Sequence, residues 1–353
     1  MQTADDRSIL ISTMPATSRD RTAALAVVAV SLVLFACAVP FATVPLVPMP
    51  AFVASYQSAL AINDLITAVL LFSQFAILRS RALLLLASGY LFTAAAAIAH
   101  ALTFPGLFAP TGLLHAGPQT TVWLYMIWHG GFPLLALGYA LLRDADGGAK
   151  VRTSTGRAIL GSIIAVGIAI SALTWLVTAR HDILPTLLSG GQYTAVMIGV
   201  VSAVWLLSLA ALLTLWFRRP HTVVDVWLMV VMCVWLFDIA LSAILNGARF
   251  DLGFYAGRIF GLCAASFVLA VLLIDTLGLQ AQISPTCSQR CAGRPPRNGI
   301  VTPSASGCSA LWWNPPTTPS SPRRLTAISL AGIRPRNVYS GLPRRKPSAI
   351  VST

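Results

Sequence analysis

The sequence predicts an all-α, polytopic integral membrane protein: a bundle of about eight transmembrane helices. Of the 353 residues, 56% are hydrophobic and only 10% are charged, fewer charges than a soluble protein of this length carries. The apolar residues fall into runs long enough to cross a bilayer. Cationic residues alternate from loop to loop, which is the pattern that orients helices in a membrane.

The eight apolar segments follow one another with short connections. The fifth is free of charged residues, and the first is too long for the apolar core of an ordinary signal peptide. The connection at 179–192 is longer and leaves room for a short interfacial helix. The predicted spans are 22–44, 54–77, 82–103, 120–142, 158–178, 193–217, 222–247 and 252–275.

Arginine and lysine residues distinguish the two sides of the predicted bundle. The amino-terminal segment 1–21 and the second, fourth and sixth loops carry 11 cationic residues, whereas the opposite loops carry only Arg180 and Arg249. The positive-inside rule therefore predicts that both termini lie in the cytoplasm.

The segment 276–353 differs from the rest of the chain. It holds ten Arg or Lys and no acidic residue, and so supplies +10 of the net charge of +13. Because it is rich in Pro, Ser and Gly without an apolar period, we predict a disordered basic tail. One interpretation is a genuine tail that binds anionic lipid. The other, which we favour because the change is abrupt, is out-of-frame translation of a GC-rich gene. In neither case does the charge indicate nucleic-acid binding.

Five polar residues in the outer halves of the spans are candidates for a ligand site, because polar groups in hydrocarbon need partners. Asp64 and His129 lie ~15 and ~13 Å below the outer ends of their spans and are predicted to pair. Gln57, Asn63 and His100 fall in the same outer half. The alternative is a hydrogen-bond network that only packs the bundle.

A kink is predicted just after His129. Gly130, Gly131 and Pro133 follow it, and proline leaves a helix carbonyl without its usual donor. The bent helix would leave a cavity open to the periplasm. A carboxylate beside imidazoles favours a cationic or polar ligand, or a proton, as the bound species.

A second pair, Asp238 and Arg258, is predicted to form a salt bridge between the seventh and eighth spans. It serves either to neutralise two buried charges or as a latch on the last helix. Asp225, near the inner face, is expected to be solvated.

We expect no catalytic residue, metal or cofactor: no nucleophile–base pair or metal-ligand spacing is visible, and a depth difference of ~9 Å between His100 and His129 disfavours a shared haem or copper.

Several sequence motifs carry a family resemblance, densest in the second to fourth spans. They are YQSAL at 56–60, INDLITA at 62–68, GYLF at 89–92, HALTFPG at 100–106, GPQTT at 117–121 and WLYMIWHGGFP at 123–133. Together these resemble the bacterial membrane-associated sensor domains of the MASE series, fourth type. The resemblance implies an inner-membrane input module followed by a histidine kinase or a diguanylate cyclase.

The chain departs from that pattern after the last span. Beyond Asp275 there is no phospho-acceptor His box, ATP-binding Asn box or GG(D/E)EF loop, so the enzymatic activity is not carried over. We therefore predict a membrane sensor of bacterial signal transduction that lacks its usual output. A small-solute transporter or channel is the alternative, and a membrane enzyme is the third interpretation. The expected partners are membrane lipid, a small ligand or proton, and a second copy in a homodimer.

Overall fold

Eight α-helices make up the described part of this computed structural model, which covers residues 12–114, 116–145, 151, 153–189, 192–247 and 249–292. All eight are long and apolar enough to cross a membrane, α7 together with the turn that follows it. This confirms the predicted eight-span bundle. The helices are α1 (Ser18–Ala38), α2 (Pro50–Leu78), α3 (Arg81–Thr103), α4 (Thr120–Ala145), α5 (Thr155–Ala179), α6 (Ala195–Phe217), α7 (Val223–Ile239) and α8 (Leu252–Ala292).

Polar caps set where several helices begin. Thr17 and Asp20 form a capping box at the start of α1, and Thr222 and Asp225 form another at the start of α7. In each box the threonine hydroxyl accepts from a backbone N–H while the aspartate carboxylate accepts from the threonine N–H. The Thr17 box explains why α1 begins at Ser18, ahead of the predicted residue 22.

The connections at each end of the bundle are hydrogen bonded to one another. At one end the N–H of Ala16 donates to the carbonyl of His221 (3.0 Å), and at the other the N–H of Leu46 donates to the carbonyl of Phe250 (3.0 Å). Successive helices therefore alternate in direction. We call the first the basic end (residues 12–17, 79–81, 151, 153–157 and 218–222) and the second the open end (residues 39–49, 104–114, 116–119, 180–189, 192–194, 245–247 and 249–251).

The helices are not equally buried. α2, α3, α4, α6, α7 and α8 pack against one another, while α1 lies against α7 and α5 against α3. None of the membrane-spanning window of α5 and only 11% of that of α1 is buried, against 67% for α3 and α7. The exposed faces of α1 and α5 are apolar, which suits contact with lipid tails.

A buried cluster around Asp225 and Arg143 joins α4 to the start of α7 at the basic end. Asp225 accepts from the hydroxyl of Tyr139 (2.8 Å) and from the guanidinium of Arg143. Arg143 also donates to the carbonyl of Pro220 (2.8 Å). The expectation that Asp225 is solvated is therefore wrong: its capping role and its two partners keep it fully buried.

Helix α4 runs without interruption through Pro133. The two glycines before it lie where neighbouring helices come close. A Cβ on Gly131 would lie 2.4 Å from Cε1 of Phe92, and a Cβ on Gly130 would lie 3.3 Å from Cγ2 of Val204. These glycines therefore allow close packing of α4 against α3 and α6.

Two irregular segments frame the open end. After α5, a 3₁₀ turn (His181–Ile183) leads into a two-stranded antiparallel hairpin, β1 (Leu188–Ser189) and β2 (Gln192–Tyr193). This hairpin takes the place of the expected interfacial helix. After α7, a π-helical turn (Ala240–Ile244) continues the span.

Helix α8 continues past the predicted end of the last span at residue 275 and ends at Ala292. The first part of the segment predicted to be disordered, 276–292, is therefore helical. Residues such as Leu277, Leu279 and Gln280 are good helix formers, and they extend a helix that is already nucleated in the bundle. The remainder of the predicted tail, residues 293–353, lies outside the described residues.

Candidate functional site

A cavity of about 380 Å³ lies at the open end of the bundle, within the range of about 300–1,000 Å³ that small-molecule sites occupy. Its walls come from α3, α4, the hairpin, the start of α6, the turn after α7 and the start of α8. The lining residues are His100, Phe104, Thr121, Val122, Tyr125, Met126, Leu188, Tyr193, Met197, Ser242, Ala243, Asn246, Arg249, Phe254 and Arg258.

The hairpin supplies one wall of this cavity and is held by Gln119. The Gln119 Oε1 accepts from the N–H groups of Leu187 and Leu188 (both 3.0 Å), and its Nε2 donates to the carbonyl of Leu188 (2.7 Å). The Tyr193 hydroxyl donates to Oδ1 of Asn246 (2.8 Å), and burial raises the pKa of Tyr193. The hairpin is thus tied to both α4 and the segment after α7.

Two arginines give the cavity its charge. The Cζ of Arg249 lies 4.9 Å from the ring centroid of Phe104. Burial and then the positive charge of Arg258 lower the pKa of Arg249, but a guanidinium remains charged at neutral pH. None of the described residues that line the cavity is acidic. The cavity therefore presents positive charge on aromatic walls.

The Arg258 guanidinium has a hydrogen-bond donor without a partner among the described residues. It is only 6% exposed, and its Cζ lies 3.4 Å from the ring centroid of Phe254. Its Nη1 donates to the carbonyl of Phe254 (2.9 Å), whereas its buried Nε has no hydrogen-bond partner among the described residues. Buried donors without partners are rare and costly, so this guanidinium is suited to receive an acceptor from a ligand.

His100 connects the cavity to α2. The Gln57 amide is hydrogen bonded to Nδ1 of His100, and both side chains are buried. Of the five predicted ligand-binding residues, His100 alone lines the cavity, and Gln57 orients it from behind.

A second polar cluster, the Asp238 network, adjoins the cavity. The His129 Nε2 donates to Oδ2 of Asp238 (3.1 Å), and Ser242 Oγ donates to Oδ1 of Asp238 (2.9 Å). The hydroxyls of Tyr125 and Ser242 lie 2.5 Å apart, and both residues also line the cavity. The Trp235 Nε1 donates to the carbonyl of His129 (3.2 Å). The network therefore joins α4 to α7 and to the cavity wall.

His129 faces an acceptor at each ring nitrogen. Its Nδ1 lies 2.9 Å from the carbonyl oxygen of Tyr125, while its Nε2 faces the Asp238 carboxylate. His129 therefore links the backbone of α4 to the Asp238 carboxylate of α7.

Comparison with known proteins gives the class of this bundle. Residues 47–280 match the family model described as the membrane-associated sensor, integral membrane domain, MASE4. The chain belongs to the MASE4 family. The match ends at 280, close to the change in composition after residue 275, and it confirms the resemblance drawn from the motifs. Searches of curated proteins and of solved structures found no match.

In this MASE4 domain, α8 rests directly on the Asp238 network. A Cβ on Gly257 would lie 2.7 Å from Cβ of Ser242 and 3.0 Å from Oδ1 of Asp238, and a Cβ on Gly261 would lie 2.8 Å from Oδ2 of Asp238. Only glycine permits so close an approach. The same turn of α8 carries Arg258, so one helix contacts both the cavity and the network.

The predicted pair of Asp64 and His129 is wrong. His129 bonds to Asp238 instead, while Asp64 is buried on α2. Similar depth on two spans was the basis of the prediction, but depth does not fix which faces of two helices meet. Asn63 lies away from the cavity and donates from Nδ2 to Oγ of Ser266 on α8 (2.9 Å).

The predicted salt bridge between Asp238 and Arg258 is also absent, although the two residues belong to packed helices. The Asp238 carboxylate is occupied by His129 and Ser242, and the Arg258 guanidinium stacks on Phe254. Cation–π contact and a backbone acceptor therefore replace the carboxylate that was expected to neutralise Arg258.

Sequence reasoning missed Tyr125 and Ser242, and it treated Arg249 as a loop charge. Helical spacing contained a signal for the first two. Tyr125 precedes His129 by four residues and Ser242 follows Asp238 by four, so each lies on the same helix face as a residue already suspected. No comparable signal placed Arg249 in the cavity.

Proposed function

We propose that this MASE4 domain senses a small anionic ligand in the cavity at the open end, and that α8 carries the response through the membrane. The observation that carries the proposal is the presence of Arg249 and Arg258 in one aromatic-walled cavity whose described lining residues include no acidic side chain. Guanidinium groups bind carboxylate and phosphate groups through paired N–H donors. The ligand thus has the opposite charge to the one expected from Asp64 and the histidines.

The contacts of α8 support its role as the moving part. A ligand bound to Arg258 acts on a helix whose glycines rest on the Asp238 network. Tyr125 and Ser242 join that network to the cavity wall. Occupation of the cavity and the position of α8 are therefore linked through adjoining contacts, as coupling between two sites requires.

The transporter alternative receives less support from the packing. A transport path needs polar or open space that continues below the cavity. Large buried rings, those of Trp128, Phe132 and Trp235, fill the interior beside the Asp238 network. At the basic end Asp225 is bound by Arg143 and Tyr139. These contacts favour a closed bundle that responds to a ligand.

We place the domain in the bacterial inner membrane with both termini in the cytoplasm, so that the cavity faces the periplasm. The support is the charge bias of the loops, since the basic end carries most of the cationic residues. α8 then emerges into the cytoplasm, where an output domain would receive its movement. The basic composition after residue 276 supports the further proposal that this output is lost through a frameshift.

A set of matched probes tests the ligand class. In purified protein in nanodiscs, benzoate is expected to raise the thermal unfolding midpoint, whereas benzamide and benzylammonium, which share the ring but differ in charge, are not. The physical reason is charge complementarity with the two guanidiniums. Arg249→Gln and Arg258→Gln should each abolish the benzoate shift.

Arg180→Gln is the control for this experiment. Arg180 is an exposed arginine of the same end, near Asp182 and outside the cavity, so its loss should leave the benzoate shift intact. If benzylammonium stabilises the protein and still does so in Arg249→Gln, the proposal of an anionic ligand would be contradicted. The cationic ligand expected from the sequence would then be supported.

The loss of the output domain is tested at the level of the gene. Reading the other two frames beyond about codon 280 is expected to reveal a Glu-rich helical linker followed by a kinase or cyclase domain. Glu-poor, Arg- and Pro-rich composition in every frame would contradict the proposal and leave the basic tail as a genuine part of the protein.

A further inference from the structure

A second cavity, of about 910 Å³, lies near the basic end between α1, α6 and α7. Its walls are mostly apolar: Leu25 and Val28 come from α1, Leu213 and Trp216 from α6, and Val230 from α7. Leu25 is 64% exposed. Because this face of the bundle meets hydrocarbon, the groove does not remain in contact with water, and it is shaped to hold apolar chains.

Two arginines stand at the basic end of this groove. Arg21 lies in the first turn of α1, and Arg219 lies two residues after the end of α6. Both are exposed, and within the described part of the chain neither side chain forms a hydrogen bond or ion pair. Of the two nearby carboxylates, Asp20 caps α1 through Thr17 and Asp225 is paired with Arg143. The groove thus joins an apolar wall to two arginines that form no ion pair within the described part of the chain.

Aromatic side chains mark the level of these arginines as the membrane interface. Trp216 lines the groove and is 49% exposed, and Phe217 beside it is 74% exposed. Tryptophan in particular collects at the level of lipid headgroups. The arginines therefore lie at headgroup depth, with the apolar wall extending from them into the hydrocarbon.

We propose that this groove binds an anionic phospholipid, with its phosphate held by Arg21 and Arg219 and an acyl chain along Leu25, Val28 and Leu213. Charge complementarity selects the headgroup, and a basic pocket between transmembrane helices is suited to it. The bound lipid would contact α1 and α6 and would reach α7, the helix that carries Asp238. The groove shares no lining residue with the cavity at the open end, so this proposal does not depend on the sensed ligand.

The test compares how tightly the full chain binds phosphatidylglycerol and phosphatidylcholine in neutral detergent. Native mass spectrometry measures the bound lipid. Each arginine at the interface contributes a factor of about five to anionic lipid affinity, so Arg21→Gln with Arg219→Gln is expected to weaken phosphatidylglycerol binding about 30-fold. Phosphatidylcholine binding should change little. Soluble glycerol phosphate should bind far more weakly than the lipid, because it lacks the acyl chain.

A matched pair of charges serves as the control. Arg81→Gln with Arg157→Gln removes two exposed arginines of the same end that lie outside the groove, and the basic segment 276–353 is present in every variant. This control should retain most of the affinity, as should the charge-conserving pair Arg21→Lys and Arg219→Lys. Leu213→Trp should weaken binding by filling the groove while leaving both charges.

Three outcomes would overturn the proposal. Equal losses of phosphatidylglycerol affinity in the groove double variant and the control double variant would mean that binding depends only on the total charge of the surface. Equal affinity for the two lipids in the unmodified protein would mean that no headgroup is recognised. An efficient disulfide between two copies of Leu213→Cys protein lacking its native cysteines would place a second copy of the chain in the groove.

Discussion

Replacing Asp238 by alanine is expected to lower the free energy of unfolding by about 3–5 kcal/mol. The carboxylate accepts from His129 and Ser242 inside the bundle. Its loss leaves the buried His129 Nε2 without its acceptor, which costs more than the lost bond itself, whereas the Ser242 hydroxyl keeps the Asp238 backbone carbonyl as an acceptor. The measurement is unfolding by denaturing detergent from mixed micelles, with α-helical content as the signal.

A double-mutant cycle identifies the partner of His129. His129→Gln and Asp238→Asn should show a coupling energy of about 1–2 kcal/mol, since the two side chains touch. His129→Gln and Asp64→Asn should be additive within about 0.5 kcal/mol. Coupling to Asp64 without coupling to Asp238 would contradict the network.

Gly257→Ala is expected to lower the free energy of unfolding by about 2–3 kcal/mol. The added methyl group would lie 2.7 Å from Cβ of Ser242 and 3.0 Å from the Asp238 carbonyl oxygen, so α8 must move away from α7. If α8 transmits the signal, this variant should also lose the benzoate-induced stabilisation even though Gly257 does not line the cavity.

Gly161→Ala and Gly167→Ala on α5 are the controls for the glycine prediction. A Cβ at either position meets no atom within 4 Å, so alanine should be neutral or stabilise the helix by up to about 1 kcal/mol. Equal destabilisation at all three glycines would show that helix backbone effects, rather than the contact with Asp238, dominate.

The eight-helix architecture was predictable because each span can be identified from its own run of apolar residues. Because these runs are long, an error of a few residues at either end does not change the number of predicted spans. The eight spans were therefore found, and the motifs at 56–133 indicated the family. The end of α8 was not found, since the composition after residue 275 suggested disorder while Leu277 and Leu279 favour continued helix.

The site was less predictable because it depends on which helix faces meet. Asp64, His129 and Asp238 were each recognised as buried polar groups that need partners. Their pairing required the rotation of α2, α4 and α7 about their axes, and that rotation is fixed by packing at close contacts such as Gly131 against Phe92. A single sequence therefore indicates that a buried polar residue needs a partner, but it does not indicate which residue that partner is.

The unbroken length of α8 has a mechanical consequence. Residues 252–280, the part of α8 within the family match, form a rod of about 43 Å, and the closest contacts with the network, at Gly257 and Gly261, lie near one end. Arg258 is about 5 Å along the axis from Gly261, whereas Gln280 is about 28 Å away on the other side. If α8 tilts as a stiff lever about Gly261, a shift of about 0.5 Å at Arg258 becomes a swing of about 3 Å at Gln280. A ligand that moves one side chain by less than a bond length would thereby reposition whatever is joined to the far end.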